Sequence, residues 1–334
     1  MRTSPRSTSL RIRSDSQWRR LTEVGRRPLS PATADAPFVR PPGYDHGGFV
    51  RGHQEDDGRT DMTDQAVPEE FASSAGAVRW GTVGSGEPVV LLHGTPFSSY
   101  VWRDVAAALA PRHRVYFWDM PGYGTSEMRT GQNVSLATQG QVFTELLAHW
   151  GLEAPSVVAH DFGGAVALRA HLLHGAAYSR LALVSPVAMA PWGSPFFRLV
   201  GEHTEVFEQL PPALHRALVT EYVSSASAPG LRRPVLDQLV DPWTGVDGQS
   251  AFYRQIKQAD QTHTDEVQGL YPRIEPPVLL AWGERDTWIP PERSQALAAL
   301  IPGVETHPIA GAGHLVQLDA PAQLTAALVD FLRR

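Results

Sequence analysis

The stretch Val157-Val158-Ala159-His160-Asp161-Phe162-Gly163-Gly164 constrains the fold more than any other part of the chain. An apolar run ends at a polar pair, and a helical pattern starts almost at once, over Gly164–His174. With no loop residues between them, a strand must turn into a helix within about one residue. The positions two before and two after Asp161 are Ala159 and Gly163. Small residues there let strand, turn and helix approach one another, where a larger side chain would collide. The spacing is that of a nucleophile elbow, with Asp where Ser is usual. An aspartate that merely caps a helix N-terminus is the competing reading, and the rest of the chain decides between them.

From Ala77 onward the chain alternates strand-like and helix-like segments. Apolar runs lie at Pro88–Leu92, Arg114–Trp118, Ser156–Ala159, Leu181–Val184 and Pro277–Ala281. Helical patterns lie at Val101–Ala110, Gln139–Gly151, Gly164–His174, Glu292–Leu300 and Pro321–Leu332. Continuously apolar strands belong to a sheet covered on both faces. The expectation is an α/β fold, a mainly parallel sheet flanked by helices. The alternation breaks between Pro186 and Pro276, where aromatic residues crowd among helix-like stretches such as Ala213–Tyr222 and Val235–Val240. Residues 186–276 are read as a helical cap that closes over a pocket and gives it apolar walls. Residues 62–185 and 277–334 are read as the core.

Residues 1–61 differ in character. They carry eleven Arg against eight Asp plus Glu, a net of +3, which leaves −9 for the rest of a chain whose total is −6. Six Pro and few periodic apolar residues there point to a disordered, Arg- and Pro-rich extension, with Met62 as an alternative start. Arg19–Arg20 is a twin arginine, but the apolar stretch of a secretion signal does not follow it. The charge balance makes no case for nucleic acid or an anionic membrane as partner. No apolar run reaches the ~18 residues of a membrane span. Cysteine is absent, which rules out disulfides, thiolate nucleophiles and cysteine metal sites and fits a cytoplasmic setting.

Two further pieces follow the elbow in the order nucleophile, acid, histidine. Leu279–Gly283 is an apolar strand that opens into a loop carrying Asp286, with Glu284 as its nearest competitor. Gly311-Ala312-Gly313-His314 comes 28 residues after Asp286, in a glycine-rich loop before the last helix. Both lie where strands deliver their C-terminal ends, the usual place for sites in open α/β sheets. Asp161, His314 and Asp286 are therefore the candidate catalytic residues. A fourth piece, His93-Gly94-Thr95-Pro96-Phe97, follows the strand ending at Leu92. A loop there offers a backbone N–H to an oxyanion, from Thr95 by preference or from Phe97, and Phe162 offers a second. His93 reads as structural. The Gly-Tyr-Gly turn around Tyr123 lacks the frame of a nucleotide loop.

The core resembles the α/β-hydrolase superfamily. The stretch His93–Arg103 and the turn Asp119-Met120-Pro121-Gly122-Tyr123-Gly124-Thr125-Ser126 look like those of haloalkane dehalogenases. An Asp elbow is shared by haloalkane dehalogenases, fluoroacetate dehalogenases and epoxide hydrolases. The resemblance implies an Asp nucleophile and a hydrophobic small-molecule substrate that reacts with water.

A carboxylate is a poor reagent towards esters, because the alkoxide it would displace is the worse leaving group. It suits displacement at a saturated carbon, giving an alkyl ester on Asp161 that a His314-activated water then opens. Asp286 holds the imidazole, and no metal or organic cofactor is needed. A halide leaving group calls for N–H donors. The dehalogenases often place Trp after the Asp and Asn at the position of Thr95, and fluoroacetate dehalogenases place Arg after the Asp. Phe162 and Thr95 depart from these patterns. An epoxide calls for proton donors, and epoxide hydrolases use cap tyrosines. Phe252-Tyr253-Arg254 resembles the stretch that carries one of them, 33 residues before Asp286, and Tyr222 is the candidate for the other. Phe97 and Trp192 are candidate pocket residues. The reading is opening of hydrophobic epoxides to diols, with haloalkane dehalogenation as the alternative. A non-hydrolytic cyclase or isomerase, or a ligand-binding protein of the same fold, is the further alternative.

Overall fold

Leu91, Leu92, Val158, Leu181, Leu183 and Leu280 are all buried to within 1% of full enclosure, as continuously apolar strands at the centre of a sheet must be. The structure, a computed structural model, describes residues 67–334. Eight strands run β1 (Glu69–Ser73), β2 (Gly76–Val83), β3 (Glu87–Leu92), β4 (His113–Trp118), β5 (Ser156–His160), β6 (Arg180–Val184), β7 (Val278–Gly283) and β8 (Glu305–Ile309). They form one sheet in the order β1-β2-β4-β3-β5-β6-β7-β8. β1 pairs with β2 and β2 with β4 in antiparallel fashion. Every other pairing is parallel.

Parallel neighbours need crossovers, and helices supply them. In the first half these are α1 (Arg103–Leu109), α2 (Leu136–His149) and α3 (Phe162–His174). Between β6 and β7 the chain forms six more, α4 (Pro195–Glu202), α5 (Thr204–Phe207), α6 (Pro212–Ser224), α7 (Arg233–Val240), α8 (Gly245–Lys257) and α9 (Thr262–Gln268). This stretch is called the insertion below. The chain ends with α10 (Glu292–Ala298), α11 (Val316–Asp319) and α12 (Pro321–Arg333). Among the described residues no helix is long and apolar enough to cross a membrane. The sequence expectations for residues 1–61 and Met62 lie outside the described residues.

Three strands escaped the sequence reading. The β1–β2 pair reaches back before Ala77, into residues with no apolar run. β8 is Glu-Thr-His-Pro-Ile, polar and interrupted by Pro308. It pairs only with β7, and a strand with one neighbour tolerates a proline that lacks an N–H. The helix after the elbow also differs from a surface helix. Phe162–Ala170 is buried throughout, so α3 is packed on all sides rather than amphipathic.

Its entry is tight. A Cβ built on Gly163 would lie 2.5 Å from the His93 carbonyl oxygen and 2.8 Å from that of Leu92. Both are backbone atoms at the end of β3 and cannot swing aside. Replacing Gly163 by Ala is therefore expected to lower stability by about 1–3 kcal/mol, the usual cost of overpacking. Chemical denaturation checks this, and an unchanged midpoint would show that β3 and α3 can separate freely.

Candidate active site

Asp161 sits between β5 and α3 with φ of 50° and ψ of −119°, a positive φ unusual for a residue with a side chain. Such strain persists where surrounding structure enforces it. The turn lifts the carboxylate off the sheet, towards the loops that follow β3, β7 and β8. Gly94, after β3, comes so near that a Cβ on it would be 2.5 Å from Asp161 Oδ1. Glycine there lets the next residue, Thr95, donate its backbone N–H to Asp161 Oδ1 at 2.8 Å. The Phe162 N–H lies on the same side and helps to lower the proton affinity of this carboxylate. The Phe97 N–H is used in a turn to the Gly94 carbonyl at 2.9 Å, which leaves Thr95 as the loop donor.

The other oxygen, Asp161 Oδ2, is 3.4 Å from Nε2 of His314. His314 Nδ1 donates to Asp286 Oδ2 at 3.0 Å. Asp286 Oδ1 in turn accepts the N–H groups of Trp288 and Ile289, both at 2.9 Å, so it is held at each oxygen. Glu284 is exposed and takes no part. The three residues proposed from sequence thus meet in one buried cluster.

Burial by itself would push the His314 imidazole towards its neutral form. The carboxylates of Asp286 and Asp161 outweigh burial and raise its pKa to about 10. Burial would likewise raise Asp161, but His314 and the Phe162 N–H hold it below the ordinary carboxylate value. The resting pair is an aspartate and an imidazolium.

His160 and His93 are neutral supports. Burial, with the His314 charge adding to it, lowers His160 to about 3. Its Nε2 lies 3.0 Å from the His314 carbonyl oxygen, which can only accept, so that nitrogen carries the proton. His93 Nε2 accepts the Met120 N–H at 2.9 Å, and Nδ1 lies 2.9 Å from the Gly94 carbonyl. Asp119 is a clamp, accepting the Ser99 and Thr125 N–H groups, each at 2.8 Å.

A small pocket, with a cavity volume of about 30 Å³, opens onto Asp161. Its apolar walls include Phe162, Val187, Trp192, Phe197, Trp288 and Ile289, and its polar side chains are Thr95, Asp161, Ser194 and Tyr222. Tyr222, on α6, is half-buried, and among the described residues its hydroxyl makes no hydrogen bond. Burial, then the Asp161 charge, push that hydroxyl well above the ordinary tyrosine value, so it keeps its proton.

Two sequence expectations need correction. Tyr253 is not brought to the site. It is fully buried on α8, and its hydroxyl is 2.8 Å from Nδ1 of His215 inside the insertion. Phe97 does not line the pocket. Its ring lies behind, parallel to Trp288 with centroids 5.8 Å apart and 1% exposed. Trp192 does line the pocket, and Tyr222 takes the place expected of Tyr253.

Sequence reading missed Trp288 and Gln255. The Trp288 indole stacks on His314 at 5.0 Å and on Tyr222 at 4.5 Å, so one ring touches both the core and the insertion. Its place two residues after Asp286 was the available signal. Gln255 is a buried amide on α8, detectable only as a polar residue between the apolar Tyr253 and Ile256.

Residues 87–321 match the family model of the alpha/beta hydrolase fold. An alpha/beta hydrolase fold protein from Burkholderia ambifaria is 48% identical, with a TM-score of 0.77, over 79% of this chain and 97% of that one. Haloalkane dehalogenase 2 of Mycobacterium tuberculosis is 26% identical over 78% of this chain and 93% of its own length. The dihydrolipoyllysine-residue acetyltransferase component of the acetoin cleaving system of Pseudomonas putida is 28% identical over 83% of this chain and 72% of its own length. The strand order, the match across most of the core and the elbow at Asp161 agree, and the chain belongs to the α/β-hydrolase fold family.

Proposed function

We propose that this protein hydrolyses epoxides of small hydrophobic molecules through a covalent ester on Asp161. The observation that carries the reading is the Asp161 carboxylate itself, with one oxygen on the Thr95 N–H, the other towards His314, and the pocket holding an unbonded tyrosine hydroxyl.

In the first step Asp161 Oδ2 attacks an epoxide carbon and the ring C–O bond breaks. The departing oxygen takes the Tyr222 proton, because an alkoxide is a stronger base than a phenolate. The product is a hydroxyalkyl ester. Esterification removes the Asp161 charge from beside His314. Two unit charges 3.4 Å apart interact by roughly 5 kcal/mol at an effective dielectric constant of about 20. That corresponds to roughly three and a half pH units in the acidity of His314. The imidazolium therefore releases its proton, which restores Tyr222, and becomes a base. It then takes a proton from water while the oxygen of that water attacks Asp161 Cγ. The tetrahedral oxyanion forms on Oδ1, where the Thr95 N–H donates, an effect of ~3–4 kcal/mol. Collapse releases the diol, which takes the proton from His314, and the remaining water proton then passes from the Asp161 carboxyl to His314, restoring the aspartate–imidazolium pair.

Halide displacement is the second reading, and similarity to a haloalkane dehalogenase favours it. A departing halide needs N–H donors in the pocket. Both pocket indoles are committed elsewhere, Trp192 Nε1 to Thr264 Oγ1 and Trp288 Nε1 to Ser225 Oγ, each at 3.0 Å. A free hydroxyl beside Asp161 suits an epoxide better.

Three experiments follow from this scheme. His314→Gln should form the ester and fail to open it, so intact mass after styrene oxide should rise by the whole epoxide. The gain should vanish in the Asp161→Ala, His314→Gln double variant. A gain of only the alkyl group from 1-bromobutane, with none from epoxides, would establish the halide reading instead. Tyr222→Phe should slow ester formation by about 10²-fold or more, the range for a lost general acid, whereas Tyr253→Phe should change it less than about threefold. Equal losses from the two would remove Tyr222 from the scheme. In rapid-quench assays, opening of the wild-type ester should rise with pH through a midpoint well below about 10, because the ester lacks the charge that raises resting His314. A midpoint at about 10 or higher would mean that esterification does not switch the imidazole.

A further inference from the structure

The loop that carries the Thr95 N–H is tied to the insertion by a buried amide. Gln255, on α8, is 2% exposed. Its Oε1 accepts the Thr95 hydroxyl at 2.7 Å and the Tyr123 hydroxyl at 3.1 Å. Its Nε2 is buried without a partner among the described residues. The two heads of the amide thus divide unequally, with one holding both hydroxyls and the other left over. A buried polar group with an unmet donor is costly, so packing alone would favour an apolar side chain at this position. The second tie from the insertion to the same loop runs from Trp243 Nε1 to the Pro96 carbonyl at 2.7 Å.

We propose that Gln255 is a positioning residue, which fixes Thr95 through its hydroxyl so that the backbone N–H of the same residue stays aimed at Asp161 Oδ1. The inference deepens the reaction scheme above and rests on it for its kinetic consequence, but not for its structural one. Thr95 has only two polar handles besides its carbonyl. The hydroxyl goes to Gln255 and the N–H goes to Asp161. Gly94 on one side supplies no side chain to hold the loop. Without the Gln255 contact the Thr95 side chain loses its anchor on the insertion, and the direction of its N–H rests on the Gly94–Phe97 turn and the Trp243 contact with Pro96 alone. An aimed N–H matters more once charge develops on Oδ1 than while the carboxylate rests, because the tetrahedral oxyanion concentrates charge on that one atom. Opening of the ester should therefore suffer more than its formation.

The experiment compares Gln255→Met, which keeps the length and removes the acceptor, with Thr95→Val, which keeps the shape and removes the hydroxyl. Hydrogen exchange by NMR should show protection of the residue-95 amide falling at least about tenfold in both variants. The central strand amides of β3 and β5 should keep their protection, and Thr95→Ser should keep protection at residue 95. Because the two single changes break one contact, the double variant should be no worse than either alone. In rapid-quench assays with styrene oxide, ester opening should slow about tenfold in Gln255→Met while ester formation stays within about threefold. Unchanged protection of the residue-95 amide in Thr95→Val would overturn the proposal, whether or not Gln255→Met folds. Lost protection with an unchanged rate of ester opening would overturn its mechanistic half. If the wild-type protein forms no ester, the reaction scheme falls, and amide protection alone decides the role of Gln255.

Discussion

Two carboxylates share one imidazole inside the protein, and the rest of the site is arranged around that fact. Asp161 and His314 are each within 4% of full burial, as is Asp286. Three such groups would be prohibitive as isolated charges. They persist because each is answered. Asp286 has two N–H groups and the imidazole, and Asp161 has the Thr95 and Phe162 N–H groups and the far side of the same ring. The cluster as a whole carries one negative charge, two anions against one cation, and backbone N–H dipoles offset the excess. Its chemistry follows from that balance. The proton on the imidazole is held there by both charges, so losing the Asp161 charge would lower its proton affinity without any movement of the protein.

The sheet makes this possible by delivering its C-terminal ends to one place. Strand β5 ends at Asp161, β3 at the Thr95 loop, β7 at Asp286 and β8 just before the His314 loop. The residues are far apart in sequence, yet the neighbouring strands β3-β5-β6-β7-β8 bring them to one edge of the sheet. The insertion completes the site from the other side. Its grip on the core runs through polar and aromatic contacts that also touch the chemistry, namely Trp288 between His314 and Tyr222, and Gln255 on Thr95. The insertion and Asp161 are therefore linked through single side chains.

The parts legible in the sequence were those fixed by local pattern. Five apolar strands, the elbow and the Asp286 and His314 loops could be read because each depends on residues within about ten positions of one another. What could not be read depends on side-chain direction inside the insertion. Tyr253 and Tyr222 are both aromatic residues on helices, and spacing favoured Tyr253. Helix α8 turns Tyr253 inward against His215, while α6 turns Tyr222 against Trp288 and the pocket. That choice is made by the packing of α6 against α8, which a one-dimensional pattern does not encode. Phe97 failed for a similar reason. It adjoins the oxyanion loop in sequence, but its N–H closes the turn and its ring fills the space behind Trp288.

How the pocket spends its N–H groups narrows the chemistry further. An indole N–H that points into a cavity is a ready partner for a departing anion. Here Trp192 and Trp288 instead use theirs to pin the helices of the insertion, through Thr264 and Ser225. The same contacts that stabilise the wall remove its anion donors. The hydroxyls of Ser194 and Tyr222 remain in the wall, and burial, then the Asp161 charge, keep the Tyr222 proton in place. A hydroxyl that keeps its proton can hydrogen-bond a departing anion or give the proton to a strongly basic oxygen. On the epoxide reading proposed above, the same hydroxyl also supplies the proton that the opened ring oxygen needs.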